Sequence, residues 1–314
     1  MSGILNPILD LPAPLATGIA PRAAHLLCFT FTGGYVGSLY LAEALFGQRP
    51  NDKQLYSYPP PGHRDHPETM KRRMKAVSIA TGMAIAGVYL TVAKENGFRW
   101  RQAIIETARL LGLSSIGYKL PLAYALAPLL FTGPLYAAYL DEELPGMKGS
   151  GYFEFGRHEM RNYVVGPITE ELLFRSCVLS ACLLGKMSTK WLVFGTPLWF
   201  GLGKCSHVAY ADKQPTHTTV TSDGKTAASP AELLSDQSRK DPTPSFVLVS
   251  RSTGDVRLTH EGSIIPAILS HTFCNYMGID LPTAAAQRHP SKKLSIYSAY
   301  LAGIAAFAYG LTRF

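Results

Sequence analysis

"GPITEELLFRSC", residues 166–177, decides how this chain is read. Glu170, Glu171 and Arg175 interrupt a run whose other members argue for burial or for lipid. A charged side chain at the middle of a membrane helix costs about 2.5–3.5 kcal/mol on insertion scales. Three of them, unpaired, would cost several times that. Glu171 and Arg175 are spaced i,i+4, so they share a helix face and can pair. Glu170 projects about 100° away, onto another face. A carboxylate in an apolar site without a cation becomes a stronger base, which is the condition for general-base catalysis. Two other readings compete. The Glu–Arg pair can serve as glue between helices, and "TEEL" can open a helix with Thr169 as N-cap.

The rest of the composition fits the membrane side of that choice. Of the 314 residues, 47% are hydrophobic and only 17% are charged; a soluble domain carries roughly 25% charged residues. The formal net charge of +8 therefore reads as affinity for an anionic lipid surface. The basic-aromatic pattern of a nucleic-acid module is not seen, so no nucleic-acid partner is expected. The five cysteines, Cys28, Cys177, Cys182, Cys205 and Cys274, are scattered and form no C-x-x-C pair, which argues against a disulfide framework or a zinc knuckle. The N-terminus lacks a basic region followed by an apolar one, so no cleavable signal peptide is expected.

An all-α fold follows, a polytopic bundle of about seven membrane helices whose catalytic residues face an intramembrane cavity. The expected spans are 23–46, 76–93, 118–140, about 163–184, 190–203, 262–279 and 294–311. Each must cross roughly 30 Å of hydrocarbon, and 190–203 is short for that. Prolines in 118–140 predict a kink. Residues 47–75 read as a basic, proline-rich loop on the cytoplasmic side; His63 and His66 there read as solvated rather than as metal ligands. Residues 99–113 read as an interfacial amphipathic helix or, equally, as an ordinary amphipathic connector.

Residues 204–261 are rich in Ser, Thr, Asp, Lys and Pro. Such a tract cannot bury enough apolar area to order itself well. We read residues 1–314 as a single integral-membrane domain, with 204–261 as a disordered loop or a mis-annotated insert. The codons of Gly203-Lys204-Cys205 can contain a splice-donor sequence, which would make part of the tract a retained intron.

A second constellation is "SHTFCNYMG", 270–278. His271 and Asn275 are i,i+4 on an apolar helix. Together they can donate two hydrogen bonds to one oxygen, the chemistry of an oxyanion hole. The bland alternative is a polar pair bonding between helices. Cys274 makes a Cys/His/Asn thiol protease conceivable, but nothing marks the thiol as activated, and a small buried apolar residue fits it better. A zinc site would want His and carboxylate ligands, and asparagine is a poor one.

Together these blocks resemble the type II CAAX prenyl proteases, a branch of the CAAX and bacteriocin-processing intramembrane proteases. The resemblance rests on "RNYVVGPITEELLFRSC", 161–177, with its E-E-x-x-x-R pattern. It extends to "FGLG", 200–203, which begins with Phe200, and to "GSIIPAILSHTFCNYMGI", 262–279, with H-x-x-x-N; 288–311 also resembles the family's last helix. It implies a multi-pass endopeptidase of the endoplasmic-reticulum membrane. Such an enzyme removes the last three residues of farnesylated or geranylgeranylated C-a-a-X proteins such as small GTPases. By position it implies Glu170 as the base that activates water, and His271 and Asn275 as oxyanion stabilisers. Glu171 and Arg175 would support that geometry, and no metal or other cofactor is required. One departure stands out. The family's second motif reads F-G-x-A-H-x-H-H or close to it. The run here, "FGLGKCSH", puts Lys204 and Ser206 at two histidine positions and keeps His207. Lysine does not accept a proton as histidine does unless strongly perturbed. The runner-up is therefore a weakened or dead relative that binds prenylated proteins or scaffolds a membrane complex.

Overall fold

Pro67 opens a helix of 29 residues that carries a large part of the main core. It sits at the first helical position, and His66 precedes it as N-cap, with Nδ1 accepting from the Glu68 N–H at 3.4 Å. A proline there loses no intrahelical bond. The computed structural model describes residues 18–47, 65–113, 120–147, 155–188, 191–192, 195, 263–278 and 280–312.

In chain order the helices are α1 (Pro21–Phe46), α2 (Pro67–Glu95), α3 (Trp100–Leu110), α4 (Leu120–Leu130) and α5 (Thr132–Leu140). Next comes a continuous helical run built from Arg157–Glu159, Met160–Val165, Gly166–Glu170, Glu171–Val178 and Leu179–Leu184, called α6. Then follow α7 (Ile265–Met277), α8 (Pro282–Arg288) and α9 (Lys293–Leu311). All regular elements among the described residues are helical, apart from one isolated bridge between Leu113 and Ser263. The all-α expectation agrees with this.

The expected helix count fares differently. Two of the described helical stretches, Pro67–Glu95 and Pro290–Leu311, are long and apolar enough to cross a membrane. The expected span 118–140 divides into pieces of 11 and 9 residues, and α7 has 13. At about 1.5 Å per residue, none of these three reaches 30 Å alone. Most of the expected span 190–203, and with it Phe200, Lys204, His207 and the 204–261 tract, lies outside the described residues.

Two boundaries moved for visible reasons. The basic segment 67–75, read as loop, is the first part of α2; Lys, Arg and Met are good helix formers, and their charge hid the helical pattern. The predicted kink is a break at Phe131. Pro134 lacks the N–H that would bond the Leu130 carbonyl, and Thr132 Oγ1 instead donates to the Leu129 carbonyl at 2.7 Å. The break is where α9 crosses. A Cβ on Gly303 would meet the Leu129 and Leu130 carbonyls at 2.9 and 3.1 Å, so only glycine permits this approach.

The main core joins Cys28, Phe31 and Tyr35 of α1 with Val77–Ala93 of α2, Leu110 of α3 and Leu173–Leu184 of α6. A smaller cluster joins Ala137, Ala285 and Ile296. The exit of α3 ties α6 to α7. Buried Ser176 and Ser180 donate to the carbonyls of Leu111 and Leu110 at 2.8 and 3.1 Å. The Ile264 N–H donates to the Gly112 carbonyl at 3.0 Å. Gly112 takes a φ of 71°, where a side chain is unfavourable.

Candidate active site

α6 carries the two glutamates in the middle of an unbroken helix. Thr169 is therefore not an N-cap. Its hydroxyl donates back to the Val165 carbonyl at 2.7 Å and meets the Tyr35 hydroxyl of α1 at 3.1 Å. The helix had already begun at Arg157, twelve residues upstream in numbering, so a cap at 169 has no free turn to satisfy.

The winding of α6 is uneven. Met160–Val165 and Glu171–Val178 take the wider π form, which is uncommon and tends to occur at functional sites. The second wide stretch starts at Glu171 itself.

Glu171 is 4% exposed and Arg175 is 3% exposed. The Arg175 guanidinium pairs with Glu171 Oε2, as the i,i+4 spacing predicts. The other oxygen, Glu171 Oε1, lies 2.6 Å from His271 Nδ1. One buried carboxylate thus binds a guanidinium from its own helix and an imidazole from α7. Pairing on both oxygens is what a buried charge needs to be tolerated. The same contact fixes the ring: a carboxylate only accepts, so the proton sits on Nδ1. A neutral His271 then presents Nε2 as an acceptor; it donates from Nε2 only as the imidazolium.

Asn275 lies one turn further along α7, and its Nδ2 donates to the Asn162 carbonyl at 2.8 Å. Thr272 Oγ1 donates to the neighbouring Tyr163 carbonyl at 2.9 Å. Two consecutive carbonyls of α6 are thus bound by α7 side chains. Glu170 is half-buried on the adjoining face of α6. The structure therefore brings Glu171, Arg175, His271 and Asn275 to one helix–helix junction, with Glu170 at its side. His271 and Asn275 each hold a different protein acceptor rather than converging on one point.

Residues that sequence reasoning passed over also belong here. Asn162 and Thr272 knit the junction, and Arg161 reaches Asp65 across 96 positions, Nη1 to Oδ1 at 2.7 Å. The signal for Asn162 was in "RNYVVGP": Pro167 has no N–H to offer the carbonyls behind it.

Beside the junction lies an apolar cavity of about 420 Å³. Its lining includes Tyr163 and Val164 of α6 and Leu269, Thr272, Phe273 and Tyr276 of α7. The four α7 residues are spaced i, i+3, i+4, i+7, one continuous face, next to the face that bears His271 and Asn275.

Comparison with known proteins agrees with the recognition made from the motifs. Residues 160–277 match the family model described as Type II CAAX prenyl endopeptidase Rce1-like. The chain is 27% identical to "CAAX prenyl protease 2" of Homo sapiens over 93% of its own length and 81% of that protein. Against "CAAX prenyl protease 2" of Rattus norvegicus the identity is 28%, over 95% and 81%. Against "Probable CAAX prenyl protease 2" of Schizosaccharomyces pombe it is 26%, over 92% and 94%. No solved structure matches. The matched segment begins at the wide turn of α6 and ends with α7, so it contains the whole junction described above, and this chain is a relative of the type II CAAX prenyl endopeptidases, a protease family.

Proposed function

We propose that the chain removes the C-terminal tripeptide from prenylated C-a-a-X proteins, small GTPases among them, at the endoplasmic-reticulum membrane. The observation that carries this reading is the 2.6 Å contact between His271 Nδ1 and Glu171 Oε1. It joins two motif blocks that are 100 residues apart in sequence, in a setting where Glu171 is also paired with Arg175.

In this mechanism Glu170 takes a proton from a water molecule. The water oxygen attacks the carbonyl carbon of the prenylated cysteine. Charge develops on the carbonyl oxygen, and His271 and Asn275 stabilise it. The asparagine amide has two N–H groups; one holds Asn162, and the other is the donor toward the oxyanion. His271 contributes as the imidazolium, held in orientation by Glu171. The tetrahedral intermediate then collapses, and the proton taken by Glu170 passes to the departing amine of the tripeptide. The apolar cavity flanking α7 suits the isoprenoid chain, and His207 assists in handling the water.

A single catalytic domain with several membrane crossings is part of the same proposal. It is supported by large apolar side chains that stay more than half exposed on α1, α2 and α9: Leu26, Phe29, Ile79, Met83, Leu301 and Ile304. Exposure on this scale suits lipid better than water. Release of the tripeptide from a farnesylated peptide, compared for wild type and Glu170→Ala, tests the reading. The variant should lose about 10²-fold or more, the range for a general base. Equal rates would remove Glu170 from the mechanism.

Lys204 supports a second reading, because it stands where the family carries a histidine. A chain that binds the farnesylated peptide but releases no tripeptide would be a binding relative rather than an enzyme. A chain that does neither would be held together by its buried charges for packing alone.

A further inference from the structure

We propose that Arg161, anchored by Asp65, is a positioning residue that sets the orientation of the Asn275 amide through the Asn162 peptide; this rests on the reading that Asn275 serves the oxyanion. The argument begins with Pro167. In the wide winding of Met160–Val165 each carbonyl looks for an N–H five residues ahead. Arg161 finds one, from Gly166. Asn162 does not, because residue 167 is proline and has no N–H. The Asn162 carbonyl is thereby left for the Asn275 side chain, which takes it at 2.8 Å. Gly166 belongs to the same device, since a Cβ there would meet the Arg161 carbonyl at 2.8 Å.

A carbonyl released from its helix needs another restraint to serve as a fixed acceptor. Arg161 and Asn162 supply it. Arg161 Nε donates to Asn162 Oδ1 at 2.9 Å, and Nη1 donates to Asp65 Oδ1 at 2.7 Å. Nη2 lies 3.1 Å from His158 Nε2. Both members of the Arg161–Asp65 pair are mostly shielded, their side chains 21% and 14% exposed. Asp65 lies just ahead of the N-cap of α2, so the start of one helix holds the turn that aims a side chain of another. Supporting hydrogen bonds of this kind typically change function by about 10–100-fold when removed.

The test compares two ligands, so it does not need turnover. One is a farnesylated C-a-a-X peptide. The other is the same peptide with a phosphinate at the scissile position, a stable tetrahedral oxyanion. Wild type should prefer the phosphinate, and Asn275→Ala should reduce that preference by about tenfold or more, His271 supplying what remains. Arg161→Gln and Pro167→Ala should each weaken phosphinate binding about tenfold, within the range for lost orientation, with peptide binding unchanged. In the Asn275→Ala background neither should have any further effect. If Arg161→Gln costs as much in that background as in wild type, or weakens both ligands alike, the positioning role is overturned while the oxyanion reading stands. If Asn275→Ala leaves the preference intact, or wild type shows none, both readings fall together.

Discussion

Two polar knots among the described residues differ in how much solvent they see. At the α6–α7 junction Glu171 and Arg175 are almost fully enclosed, with side chains 5% and 3% exposed. At the second, Arg288 of α8 bridges Asp141 at the C-terminus of α5 and Asp280, and His289 also reaches Asp141. There the Arg288 side chain is 43% exposed and can reach water, while its partners Asp141 and Asp280 are 17% and 27% exposed. The contacts are as short, 2.9 and 2.6 Å, yet their energetic meaning is not the same. Enclosed charges must be paired because nothing else will solvate them. Exposed ones can turn to water, and their mutual attraction is screened. Short distance alone therefore says little about what a pair contributes.

The sharpest way to break the comparison is to remove one enclosed partner. Arg175→Met should destabilise the protein by about 3–5 kcal/mol, because it strands Glu171. Adding Glu171→Gln should recover much of that loss. Thermal unfolding in detergent measures both, and an unchanged midpoint for Arg175→Met would equate the two knots.

A middle-sized effect separates packing from charge in the α9 half. Gly303→Ala inserts a methyl group against backbone carbonyls that cannot move aside as a side chain tip can. It should cost about 1–3 kcal/mol, as overpacking does. A smaller loss would mean that the α4–α5 break yields easily.

The smallest effect is expected at the exposed knot. Asp141→Asn should change stability by less than about 1 kcal/mol, and salt should shrink the difference. Burial alone would raise the Asp141 carboxyl, but hydrogen bonds from Arg288 and His289 outweigh it and hold the group below its ordinary value of 3.8. A carboxyl lowered in the folded state stabilises most when ionised. Its contribution is thus complete above about pH 3.8 and fades as the pH falls through the folded-state value. Unfolding of wild type and Asp141→Asn should converge in acid; curves that stay parallel would give the exposed knot a role beyond charge.

Local spacing carried much of the site into view from the sequence. Glu171 and Arg175 pair as i,i+4 neighbours must, and His271 and Asn275 share a face of one helix. What spacing does not encode is the partner across the molecule. The meeting of His271 with Glu171, and of Arg161 with Asp65, depends on how helices far apart in the chain come to pack. The alternative of Thr169 as N-cap stayed open in the sequence because a threonine before glutamates looks the same in mid-helix as at a start; the turns before it, from Arg157, exclude it. The break at Phe131 was half legible. Prolines announced a bend, and Pro134 accounts for its place, but the sequence did not show that Gly303 of α9 packs against the two carbonyls there.

The exit of α3 has a consequence for the spacing of the two motif helices. Ser176 and Ser180 hold the Leu111 and Leu110 carbonyls, and Gly112 holds the start of α7. Neither motif contains Leu110, Leu111 or Gly112, yet these three act as a shim between the motif helices. A chain one residue longer at that point would keep every reacting group and still present them out of register.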